Sequence, residues 1–144
     1  MPTRPSIAAA LALGLSLGLA ACGSGDATVR IDRAEGIVLD TVRAVAADLG
    51  LPTADIELVG REPCSTVSGE PGLRNRIVVR AGAPEGLDVG GVAAAALVRE
   101  GFEVVESGVP GTVLGQREGM RVTAARASRG IELDGITGCR PPPR

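Results

Sequence analysis

The sequence predicts a two-layer α+β domain, two helices packed on one face of a mostly antiparallel sheet. Three observations predict it. Residues 32–50 and 89–100 each carry apolar side chains at helical spacing along one side only. After Gly101 the pattern changes to alternation with period two, in short runs separated by Gly-containing turns. Turns so short join antiparallel neighbours, and a helix with one apolar stripe must bury it on a sheet. The order expected is helix, two strands, helix, then three or four strands.

The first segment is not part of that domain. Ile7 to Ala21 is apolar, small and uncharged, with Arg4 ahead of it. It has the length of a signal-peptide core and falls short of the roughly 20 residues needed to span a bilayer. Leu19-Ala20-Ala21-Cys22 closes it and resembles the lipobox of bacterial lipoproteins. In that family a diacylglyceryl group is joined to the cysteine sulfur and a dedicated peptidase cuts before the cysteine. Small residues at Ala20 and Ala21 let the peptide lie extended in a protease cleft, and two acyl chains on one residue anchor firmly where one is marginal. The rival readings are an ordinary secretory signal with a chance cysteine and an uncleaved anchor. Gly23 to Thr28 is expected to be a flexible polar tether. Eight or so residues at roughly 3.3–3.6 Å each reach less than about 30 Å, so the domain is expected close to the lipid surface.

Within the domain, Asp32 to Gly50 is predicted as the first helix, with Val38, Val42, Val45 and Leu49 on its buried face. Asp32 and Glu35 have the spacing of a helix N-terminus, and Gly50 and Pro52 supply the stop. Ile56 to Gly60 alternates as a strand leading to Cys64, and Ser68 to Gly72 reads as a turn. Arg74 to Ala81 is the next strand, with Ile77 and Val79 facing one way and Arg76, Val78 and Arg80 the other. Asp88 is the expected N-cap of a second helix, Val89 to Glu100, whose stripe is Val89, Val92, Ala93, Ala96 and Leu97. Phe102–Glu106, Thr112–Arg117, Met120–Ala127 and Ile131–Ile136 read as strands joined by hairpin turns. The organisation expected is a lipoprotein signal peptide at 1–21, lipidated Cys22 and tether over 22–30, one α+β domain over 31–140 and a Pro-rich tail over 141–144.

With Cys22 carrying lipid, Cys64 and Cys139 remain as a pair outside the cytoplasm, and a disulfide is the natural reading. The rival reading is a redox pair or a metal site; neither cysteine lies in a Cys-x-x-Cys motif and the chain has no His.

The whole layout resembles the small lipoproteins of actinobacteria, on Leu19-Ala20-Ala21-Cys22, Glu62-Pro63-Cys64, Leu97-Val98-Arg99-Glu100-Gly101-Phe102 and Gly138-Cys139. The resemblance implies an address and a compact α+β fold with a cysteine pair, and no activity.

Composition narrows the chemistry. The 144 residues include no His, Tyr or Trp, and Phe102 is the only aromatic. The usual general base near neutral pH and the commonest metal ligand are therefore missing. Base or sugar stacking has almost no platform. A net charge of -2 gives no reason to expect nucleic acid. Hydroxyls such as Ser65, Thr66, Ser68, Ser107 and Thr137 have no His or Lys to activate them, and Glu57, Glu62 and Glu70 read as surface carboxylates. No catalytic residue, metal ligand or cofactor is assigned. All 15 basic residues are Arg. Arg74, Arg76 and Arg80 alternate on one strand and are the candidate interaction face, with Arg117, Arg121 and Arg126 on later strands. The expected function is a membrane-anchored extracytoplasmic lipoprotein. It is read as a non-catalytic binding or support module of the cell envelope, meeting the membrane through its lipid and an envelope protein or anionic lipid through its surface. The alternatives are a small envelope hydrolase acting through surface carboxylates and a carrier of a small hydrophobic ligand.

Overall fold

The computed structural model describes residues 29–51 and 56–143. The signal segment, Cys22 and the tether up to Thr28 lie outside the described residues. Two helices and six strands follow one another as α1 (Ile31–Asp48), β1 (Ile56–Ser65), β2 (Pro71–Ala81), α2 (Val89–Arg99), β3 (Glu103–Val105), β4 (Thr112–Arg117), β5 (Met120–Ala127) and β6 (Gly130–Ile136). The strands form one antiparallel sheet in the order β1-β2-β6-β5-β4-β3. Both helices cover the same face, which makes the molecule a two-layer α+β fold.

The apolar stripes explain the packing. Val38, Val42, Val45 and Ala46 of α1, and Ala93, Ala96 and Leu97 of α2, share one core with Ile77, Val79, Val122, Ala124 and Leu133 of the sheet. Two glycines set the helices directly on the strands. A Cβ at Gly135 would lie 2.5 Å from Val38 Cγ1, and one at Gly115 would lie 2.9 Å from Leu97 Cδ2. Helix and sheet therefore touch at positions where any side chain would push them apart.

The helix ends follow the chain's local chemistry. The Gly50 N–H donates to Ala47 O and the Leu51 N–H to Ala46 O, which closes the last turn of α1. The Asp88 carboxylate accepts from Gly91 N at 3.0 Å and caps α2. The start of α1 differs from the sequence expectation. Arg30 occupies the N-cap without a side-chain bond to the helix, and Asp32 lies inside the first turn.

The first hairpin is longer than expected. β1 runs on past Gly60 to Ser65, and Pro71 and Gly72 belong to β2 rather than to a turn. The reversal sits at Thr66–Glu70, where Thr66 N donates to Glu70 O and Gly69 N to Thr66 O, both at 2.9 Å. Pro63 is accommodated because β1 is an edge strand, and Pro71 because it opens its strand. A bulge between Leu58 and Gly60 bends the edge.

One end of the sheet is knotted together. A disulfide joins Cys64 to Cys139 across 75 residues. Arg140 exchanges two backbone bonds with Leu73, each 2.8 Å. Ile31 N donates to Pro141 O, and Arg30 Nη1 donates to Pro142 O at 2.8 Å, so the tail beyond residue 140 is tied to the start of α1. The Arg140 side chain is 0% exposed and donates to the carbonyls of Thr137 and Glu118. A guanidinium out of water needs such acceptors. The start of α1, the β1–β2 hairpin, the β4–β5 turn and the C-terminal tail thus meet at one pole. Among the described residues no helix is long and apolar enough to cross a membrane.

Candidate functional site

Alternation along the strands puts one set of side chains into the core and the other onto a sheet face that no helix covers. On β2, Asn75, Ile77 and Val79 turn toward the helices, so Arg74, Arg76 and Arg80 point the other way. Each meets a carboxylate. Arg74 Nε donates to Glu62 at 3.2 Å and Arg80 Nε to Glu132 at 2.8 Å, while Glu57 lies 3.8 Å from Arg80. Arg76 binds Asp134 through Nε, at 2.9 Å to Oδ2, and through Nη2. That hydrogen bond, backed by the nearby negative charge, raises the Arg76 pKa. The face expected to be Arg-rich is thus a chequerboard of both signs. Val78 lies within it, only 3% exposed although no helix covers it. Its neighbours there are Arg76, Arg80, Glu57 and Asp134, whose stems shelter it.

The later arginines separate. Arg117 Nη1 donates to Glu100 O and Arg126 Nη2 to Leu87 O, so both brace the helical side. Arg121 alone joins the open face. Gly60, Arg76, Ile136, Arg121, Gln116 and Glu103 are successive partners across all six strands. Arg76 and Arg121 therefore flank Ile136 at two strand spacings, about 10 Å apart. A shallow groove of about 370 Å³ opens there, with Arg74, Arg76, Arg121, Glu62, Asp134 and Ile136 in its lining. Arg74 and Arg76 are paired with the two carboxylates; Arg121 makes no hydrogen bond or ion pair with any described residue. Sequence alternation points to β5 as a source of such a residue, but only the register across β6 puts it opposite Arg76.

A second polar cluster has no signature in the sequence. Arg61 of β1 donates to Glu35 at 2.7 and 2.8 Å and also binds Asp32. Asn75 Nδ2 donates to Glu35 Oε1 at 3.0 Å. The Arg61 bond lowers the Glu35 pKa, burial works against it, and Asn75 adds to the lowering. Asp32 and Glu35, expected to mark the helix N-terminus, instead pin α1 to the edge of the sheet.

The hydroxyls and carboxylates that could have served catalysis are dispersed. Thr66 Oγ1 is 2.9 Å from Ser68 Oγ inside the hairpin reversal, Ser107 Oγ donates to Thr112 O, and Thr137 Oγ1 donates to Gly138 O. Glu57 and Glu62 are partnered by Arg80 and Arg74, and Glu70 sits in the hairpin reversal. Among the described residues no group of three acidic, His or Cys side chains is arranged to hold a metal ion. No protein-family model, curated protein or solved structure matches the chain.

Proposed function

We propose that the protein is a lipid-anchored envelope component, held outside the cytoplasm by acyl chains on Cys22, whose uncovered sheet face binds an anionic group of another envelope component. The anchoring half is supported by the apolar run Ile7–Ala21 and by Leu19-Ala20-Ala21-Cys22. The Cys64–Cys139 disulfide agrees with an oxidising compartment.

One observation carries the binding half. The face opposite the helices holds a groove where Arg121 faces the Arg76–Asp134 pair without a counter-charge of its own among the described residues. A planar guanidinium so placed suits a carboxylate or phosphate. Two features favour binding over the alternatives. Glu57 and Glu62, two of the carboxylates a hydrolase would use, are paired with Arg80 and Arg74 rather than with each other. Gly135 and Gly115 put helix and sheet in direct contact, where a carrier needs an apolar cavity.

The test is in-cell photocrosslinking. A photoreactive residue at Thr123, between Leu114 and Asp134 on the open face, is expected to give a discrete adduct that Arg121→Glu abolishes. The same residue at Val98, exposed on α2, is expected to give none. Equal adducts at both positions, or an adduct indifferent to Arg121→Glu, would overturn the assignment.

A further inference from the structure

The knotted pole is also the end from which the chain leaves toward Cys22. Val29 immediately precedes the α1 start that is bonded to Pro141 and Pro142. Seven residue steps separate Val29 from Cys22, about 25 Å when drawn straight. The β1–β2 hairpin projects from the same pole, because β2 pairs with β6 only from Arg76 onward and its last ties are the bridge from Leu73 to Arg140 and the Cys64–Cys139 disulfide. Pro63 to Gly69, between Glu62 and Glu70, carries no charge, and Val67 at the apex is 96% exposed.

The opposite pole offers a competing tip. Val109, 60% exposed, lies just before Thr112, which is level with Arg80 across β4, β5, β6 and β2. Arg80 is seven residues along β2 from Leu73, about 23 Å. Bringing Val109 to the surface would use the whole extended reach of the connection. The hairpin pole needs none of it.

We propose that the domain stands on the bilayer on its disulfide pole, with the β1–β2 hairpin tip dipping into the interface of the membrane that holds Cys22. This rests on the lipid anchor proposed above. Anchoring holds the tip at high effective concentration over the surface, so Val67, with Glu70 at the far end of its turn, needs little affinity of its own. The groove of Arg74 and Arg121 opens at the base of the hairpin, where Glu62 pairs with Arg74.

The native chain has no Trp, so a single Val67→Trp or Val109→Trp substitution gives a unique fluorophore. Full-length lipidated protein is reconstituted into phosphatidylcholine–phosphatidylglycerol vesicles, with and without brominated acyl chains. The tryptophan at position 67 is expected to shift its emission to shorter wavelength and lose most of it to brominated lipid. The one at position 109 is expected to do neither. Equal or stronger quenching at position 109 overturns the proposal. So does an unquenched position 67 in a chain that carries acyl mass and floats with the vesicles; that result leaves the anchor intact. A chain without acyl mass that fails to float overturns anchor and orientation together. An emission shift that grows with protein concentration in the absence of vesicles overturns the membrane contact and assigns the tip to a second copy of the chain.

Discussion

Glu35 shows how a single residue couples the two layers. It projects from the second turn of α1 and takes three hydrogen bonds from the sheet, two from Arg61 and one from Asn75. Its folded pKa lies below the ordinary carboxylate value, chiefly because of the Arg61 bond. A carboxylate depressed on folding contributes stability that is fully present above its unfolded pKa, and that contribution is lost as pH falls through the folded pKa. Arg61→Leu is therefore expected to lower the denaturation midpoint at neutral pH. The gap to wild type is expected to close as the pH is taken down through the carboxylate range. Urea titrations at a series of pH values measure this directly, and a gap independent of pH would contradict the role given to Glu35. None of this was legible in the sequence, where Asp32 and Glu35 have the spacing of a helix start. Their partner lies 26 residues on from Glu35, past the expected end of its strand.

At the scale of elements, the amphipathic stripes were the readable part. Val38, Val42 and Val45, and Ala93, Ala96 and Leu97, are buried because period-3.6 spacing aims them at one surface. β4 and β5 keep the bounds their alternation suggests. Their turn holds Glu118 at a positive φ of 48°, as a two-residue hairpin requires. The first hairpin was harder to read, because Pro63, Pro71 and Gly72 are turn residues by composition and strand residues by position. An edge strand tolerates a missing N–H, and composition does not say which strand is the edge. The same hairpin depends on its tie to Cys139. Its pairing with β6 stops at Arg76, the bridge from Leu73 goes to Arg140, and the disulfide closes a loop of 75 residues. The double change Cys64→Ser, Cys139→Ser is expected to cost roughly 4 kcal/mol in unfolding free energy on the chain-entropy model. Chemical denaturation of oxidised wild type against the variant measures it, and a loss below about 1 kcal/mol would contradict the staple.

For the whole molecule, the proposed address and the shape rest on different segments. The proposed address rests on Ile7 to Cys22, which lie outside the described residues; the fold, the open face and the knotted pole belong to the domain that follows. The arginine face was partly legible. Alternation put Arg74, Arg76 and Arg80 together, but the carboxylates that pair with them come from β1 and β6, and strand order is not written in local pattern. Arg121 joins the face only because β5 lies beside β6. The proposed contact of that pole with the membrane depends above all on what is attached to the sulfur of Cys22. Intact-protein mass spectrometry of the detergent-extracted native protein tests that most directly. The account predicts a chain beginning at Cys22, heavier than its polypeptide by a diacylglyceryl group, with Cys64 and Cys139 oxidised. A chain that retains Met1, or begins at Cys22 with a bare thiol, would contradict it.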